Sequence, residues 1–280
     1  MFTTSILLFF TSLLPTLITA TDLPKSRTVN PSLNAALRMA ATNFDRQALL
    51  PADTDWYYDF DSNPNYDSPN GAVINADAAS FPALTGMGSS IALLKLAPCG
   101  MLPPHLHPRA TNLVTAITGN TTSYMIGENG VKTRKVDLIP MRVTIFPQGS
   151  LHTMQNNGIF FPPLSLFSSL STTRSGACGS QRQDILVFYP VLITCIRISG
   201  TLLTTLTDCE PALLLSALNS DDSGTLNILP SLWTVPQDVI SAGFGDASLN
   251  TENLGQTIPA VGTGAIIGSA ECKRRCGIQT

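Results

Sequence analysis

From Gly71 onward, apolar and polar positions alternate in short runs punctuated by Gly, Pro and Asn. A period of two marks strands buried on one face. Residues 90–96, 143–146 and 211–218 read as strands, the last through the alternation of Leu213, Leu215 and Ala217. In 112–118, Asn112, Val114 and Ala116 share one face, and Leu113, Thr115 and Ile117 share the other. Asn129-Gly130, between strand runs at 123–126 and 131–136, predicts a hairpin, because both residues tolerate the positive φ of a tight turn. Many short strands at close spacing predict an all-β domain, a sandwich or a barrel. The flanks follow a helical period instead. Ser32 can cap a helix whose Leu33, Leu37, Ala40 and Phe44 form one stripe and which Pro51 ends. Residues 52–70, rich in Asp, Asn, Pro and Tyr, read as an ordered loop. Residues 236–242 and 271–276 predict a helical tail.

Two stretches break this pattern. Residues 1–20 carry no charge, hold an apolar run through Phe10 and end in Ile18-Thr19-Ala20. They read as a secretory signal peptide, and Pro15 with the Thr and Ser content argues against a permanent membrane span. The expected localisation is therefore secreted. Residues 158–207 contain three Arg, one Asp and neither Lys nor Glu. Their apolar run at 185–196 is broken by Pro190 and is too short to cross a bilayer. A loop this long is foreign to a compact domain. It reads as a translated intron or, alternatively, as an insertion that meets a membrane or a partner.

Composition narrows the function. At 280 residues, 12% charged and net −3, the chain offers no basic field for nucleic acid. The six cysteines, Cys99, Cys178, Cys195, Cys209, Cys272 and Cys276, suit an exported protein but permit fifteen pairings. Cys272 and Cys276 read as structural.

The candidate chemistry lies in the three histidines, all between Cys99 and Asn156. His105 and His107 project from one face if they lie on a strand. A neighbouring strand carrying His152 would complete three ligands for a divalent metal. Arg109, beside the pair, reads as structural rather than as an anion partner. With every histidine assigned, no serine or cysteine nucleophile has a base, which argues against hydrolase chemistry.

The stretch Gly100-Met101-Leu102-Pro103-Pro104-His105-Leu106-His107-Pro108-Arg109-Ala110-Thr111-Asn112, with Gly119, and the stretch Pro147-Gln148-Gly149-Ser150-Leu151-His152-Thr153-Met154-Gln155-Asn156 resemble the two boxes of the cupin superfamily. The likeness is specifically to germin-like proteins and the spherulin-like secreted proteins of fungi and slime moulds. Two positions depart from the boxes: Met141 stands where the second has Gly, and Asn112 where the first has a metal-binding Glu. The resemblance implies a single cupin jelly-roll barrel at 71–157 plus 208–235. An N-terminal helix and loop at 21–70 precede it, 158–207 interrupts it, and a C-terminal helical tail follows at 236–280. It further implies a homo-oligomer, Mn(II) held by His105, His107 and His152 with Asn112 at the fourth position, and oxidoreductase activity on oxalate or superoxide. A wall, spore or storage protein with a weakened site is the alternative. Asn112 brings no negative charge, so Mn(II) should bind less well and Zn(II), Cu(II) or Fe(II) relatively better. Asn120-Thr121-Thr122 is a glycosylation sequon expected on an exposed turn.

Overall fold

The computed structural model describes residues 29–158, 209–245 and 248–279, and the backbone alone of 184–189 and 192–197. Helices α1 (Pro31–Met39) and α2 (Asn43–Leu49) open it. Strands follow as β1 (Gly71–Ala76), β2 (Ser90–Leu96), β3 (Gly100–Leu106), β4 (Asn112–Thr118), β5 (Thr121–Ile126), β6 (Arg134–Leu138), β7 (Val143–Phe146) and β8 (Leu151–Asn156). Next come β9 (Asp184–Tyr189), β10 (Leu192–Arg197), β11 (Ala212–Leu218) and β12 (Leu226–Asn227). The tail holds α3 (Ile228–Leu232), α4 (Gln237–Gly243), α5 (Thr251–Gln256), β13 (Ile266–Ile267) and α6 (Ala270–Arg275).

One sheet has the order β1-β2-β11-β4-β7, and the other β12-β3-β8-β5-β6 with β13 also on β3. Leu94, Leu96, Val114 and Leu214 from the first meet Leu102, Leu138 and Met154 from the second in one buried cluster. Two antiparallel sheets packed on their apolar faces make a jelly roll; among the described residues no strand pairing joins the sheets, so it is an open one. The alternation in β4 is as expected: Val114 and Ala116 are buried, while Leu113 and Ile117 are exposed. At the β4–β5 turn, Gly119 has φ 81°, and a Cβ there would lie 2.5 Å from that of Ala212. The hairpin of β5 and β6 forms, with Gly130 at φ 85°.

Four expectations change in detail. The N-terminal stripe is two helices, because Thr42 and Asp45 form a capping box that starts α2 afresh. Asn30, not Ser32, caps α1, and Phe44 falls outside the stripe at 83% exposure. On β11 the deeper face is Ala212, Leu214, Ser216 and Leu218 rather than the alternate set. The predicted signal peptide and most of 158–207 lie outside the described residues. Among the described residues β9 and β10 pair only with each other, and the neck of the insertion is closed, with Glu210 N–H donating to Gly158 O at 3.1 Å.

Candidate metal centre

Local backbone chemistry brings the histidines together. Pro103 and Pro104 have no N–H to give a ladder, and the β3–β8 register slips by one residue between Leu102 and His105. That bulge places His105 directly opposite His152. His107 lies one residue past β3, and its carbonyl accepts from Gly149 N–H at 3.0 Å. Gly149 sits at φ 75° in the turn that Ser150 N–H closes on Pro147 O at 3.0 Å. A type II turn needs such a φ at its third position, which glycine supplies without penalty. The second box thus fixes the first.

The ring centroids of His105 and His152 are 4.2 Å apart, and His107 lies 5.3 Å from each of them. All three residues are buried, and one ligand nitrogen from each lies within 4.8 Å of the others. Phe146 stacks on His152 with centroids 4.1 Å apart and planes 8° from parallel. His105 Nδ1 contacts Pro103 O at 2.7 Å, and His152 Nδ1 contacts Ser150 O at 2.9 Å. A carbonyl only accepts, so both Nδ1 atoms carry the proton and both Nε2 atoms keep a free lone pair. His152 Nε2 is buried without a hydrogen-bond partner.

Burial disfavours a charged imidazole. It lowers the His105 pKa, an effect its bond to Pro103 partly opposes. Burial and then the neighbouring His105 bring His107 to about 4. The same two causes, with a smaller push from His107 and an opposing bond to Ser150, bring His152 to about 3. Three neutral rings therefore face one another at neutral pH, the protonation state a metal requires.

Asn112 is buried at their edge. Ser216 Oγ donates to its Oδ1 at 2.7 Å, and its Nδ2 is 3.4 Å from His107 Nε2. In this orientation an amide N–H, not an oxygen, faces the cluster. A half-turn of the amide would reverse this, since the Ser216 hydroxyl can also accept. Ser216, Phe146 and Thr225, whose Oγ1 is 3.4 Å from His107 Nδ1, are the site residues that sequence reasoning missed. The inward parity of β11 could have pointed to Ser216. Arg109 instead pairs with Asp222 at 2.7 Å, both half-exposed. Asn120 is buried rather than on an exposed turn, because Asn157 Nδ2 donates to its Oδ1 at 3.3 Å and Asn157 N–H to its carbonyl at 2.8 Å.

The residues fit a metal: the donor set converges, is neutral, and includes an orphaned buried nitrogen. Among the described residues no helix is long and apolar enough to cross a membrane.

Residues 58–186 match the family model described as cupin. The chain is 38% identical to germin-like protein subfamily 3 member 1 of Arabidopsis thaliana over 135 residues, which cover 48% of this chain and 62% of that protein. It is 25% identical to spherulin-1A of Physarum polycephalum over 255 residues, 90% of this chain and 82% of that one. Among solved structures, oxalate oxidase in complex with glycolate superposes with a TM-score of 0.50 at 18% identity, covering 74% of this chain and 81% of that one. Oxalate decarboxylase from Bacillus subtilis does so with a TM-score of 0.51 at 15% identity, covering 76% and 41%. The match over residues 58–186, the two-box spacing and the paired antiparallel sheets give this chain the fold of a cupin.

Proposed function

We propose that this chain is a secreted, germin-like metal-binding protein whose centre is His105, His107 and His152, with Asn112 at the fourth position. The observation that carries the reading is the buried, partnerless Nε2 of His152, since such an atom costs free energy unless something binds it. The cofactor is a divalent ion. Mn(II) is favoured by likeness, because a Bacillus subtilis oxalate decarboxylase among the structural relatives has Mn(II) centres. Zn(II), Cu(II) or Fe(II) is favoured by the donor set, because three imidazoles and an amide leave the full +2 charge uncompensated. A bound redox metal would supply electron transfer and hold a small oxygen-rich anion such as oxalate or superoxide. The protein's own part is to fix His105 through Pro103 O and His152 through Ser150 O and the Phe146 stack, and to keep all three rings neutral by burial. A non-catalytic wall, spore or storage role is favoured by one observation: Asn112 turns its N–H, not an oxygen, toward His107.

The proposed organisation is a signal peptide at 1–20, a flank at 21–70, the barrel at 71–157 plus 208–235, and a tail at 236–280 that packs subunits into a homo-oligomer. Glycosylation at Asn120 requires its side chain to leave Asn157. The test is elemental analysis of the purified full chain beside His152→Ala, followed by oxalate and superoxide assays. About one metal per chain, lost in His152→Ala, is expected. A chain that takes up no Mn(II), Zn(II), Cu(II) or Fe(II) overturns the reading.

A further inference from the structure

Four cysteines meet at one end of the jelly roll. Cys99, in the turn between β2 and β3, is bonded to Cys272 of α6, and Cys209, at the neck of the insertion, is bonded to Cys276 at the end of α6. The first bridge is fully buried, with both cysteines at 0% exposure. The second is half-buried. The two meet sulfur to sulfur, with Cys99 Sγ 3.5 Å from Cys276 Sγ. Gly158, at φ 70°, lies so close that a Cβ would come 2.6 Å from Cys276 Sγ and 2.8 Å from Cys209 Sγ. At 158, therefore, only backbone and no side chain lies against the half-buried outer bridge.

From this geometry we propose that Cys209–Cys276 is a thiol-reactive site, and that Cys276 relays its reduction to the buried Cys99–Cys272 bridge. The reagent class is a small thiol or dithiol. Disulfide exchange proceeds by thiolate attack on a sulfur, so access and proximity decide which bond opens. An external thiolate attacks Cys209 Sγ, forms a mixed disulfide there and expels the Cys276 thiolate. That thiolate attacks Cys99 Sγ beside it, forms Cys99–Cys276 and expels the Cys272 thiolate. A second external thiolate then resolves the mixed disulfide, releasing Cys209 as a thiol and leaving the reagent oxidised. Two electrons pass from two reagent thiols to the protein. One bridge survives with new partners, and two protons end on Cys209 and Cys272. The insertion neck is then untied from the tail, while the tail stays tied to the turn after β2.

The test treats the oxidised full chain with one equivalent of dithiothreitol, quenches it with acid, labels the thiols with a maleimide and maps the digest by mass spectrometry. The expected singly reduced species carries label on Cys209 and Cys272 and contains a Cys99–Cys276 linked peptide. Label on Cys209 and Cys276 with Cys99–Cys272 intact overturns the relay, as does all-or-none reduction without a singly reduced species. A second arm uses the Cys209→Ser/Cys276→Ser double variant. There the Cys272 thiol should appear about tenfold more slowly than in the unaltered chain, or slower still. An equal rate overturns the relay. If that variant does not fold, the mapping of the unaltered chain decides alone.

Discussion

Asn112 and Met141 both stand where the box pattern calls for another residue, yet the fold gives them opposite surroundings. Asn112 is 4% exposed, on the inner face of β4, bonded to Ser216 and beside His107. Met141 is 90% exposed, at a turn before β7, with φ 69°. The difference teaches that a box is two constraints superposed. One set of positions serves the donor cluster and is written in side-chain chemistry; the other serves the backbone path and is written in permitted φ. A departure in the first set should alter binding and spare the frame. A departure in the second should strain the frame and spare binding.

The largest expected effect lies at 112. Asn112→Glu would place a carboxylate next to three neutral imidazoles. A unit charge about 4 Å from a divalent ion in a partly screened site is worth several kcal/mol before desolvation is subtracted. The expected net result is roughly a 100-fold gain in Mn(II) affinity, larger than the gain for Zn(II), which tolerates nitrogen donors well. Isothermal titration with both ions measures the ratio. An unchanged preference for Mn(II) over Zn(II) would mean that the missing carboxylate does not set selectivity, and the contrast between the two positions would fail.

Asn156 sharpens the contrast, because it is a box residue as buried as the histidines but outside their cluster. Its Nδ2 donates toward Leu96 O at 3.2 Å, Ala97 O at 3.0 Å and Glu210 O at 2.8 Å, while its Oδ1 accepts from Gly158 N–H at 2.9 Å. It thus ties β8 to the end of β2 and to the far side of the insertion neck. Asn156→Ala strands several buried backbone groups and should cost about 2 kcal/mol of stability. Metal affinity of the folded fraction should not move. Urea denaturation and metal titration on the same sample separate the two; loss of affinity in fully folded protein would show that burial alone couples to the site.

Acid should reach the histidine region through its pKa values. In the folded chain His107 titrates at about 4 and His152 at about 3, against about 6.5 in an unfolded chain. Between these limits the unfolded state binds protons that the folded state refuses, so stability of the metal-free protein falls as pH drops below about 6.5. Each ring contributes a slope of up to about 1.4 kcal/mol per pH unit, which ends near its folded pKa. Denaturation curves at pH 7, 6 and 5 should show this dependence. His107→Gln or His152→Gln should flatten it; a slope indifferent to both would mean that the rings are solvated and the cluster is not sealed.

Much of this was legible in the sequence because both signals are periodic or spaced. The HxH pair, His152 and the alternation through β4 point to one face of one sheet pair, and the cluster forms from those residues. The bulge at Pro103 and Pro104 was not foreseen, because a register slip depends on the partner strand. Phe146 escaped for a similar reason, and Ser216, although on the inward parity of β11, could not be matched to Asn112. Their roles arise from β11 and β7 lying on either side of β4, a pairing that no local pattern specifies. The split of the first helix was legible in Thr42 and Asp45 but was outweighed by the longer apolar stripe. The cysteine pairs could not be read at all, since spacing does not encode which sulfurs meet.

The smallest expected effect lies at 141. A non-glycine residue in the left-handed region costs roughly 1 kcal/mol from the clash of its Cβ with the following carbonyl. Met141 buries little that would offset this, and its backbone N–H already donates to Ala116 O at 2.9 Å, so the turn is held in place. Met141→Gly should therefore stabilise the protein by about 0.5–1 kcal/mol, after the added freedom of glycine in the unfolded chain is subtracted. Metal affinity and the acid slope should stay as they are. Met141→Ala serves as the control: it keeps the Cβ and removes the exposed side chain, so it should recover none of the gain. If alanine stabilises as much as glycine, the burden at 141 is the exposed thioether arm and not the φ angle, and the backbone half of the contrast falls.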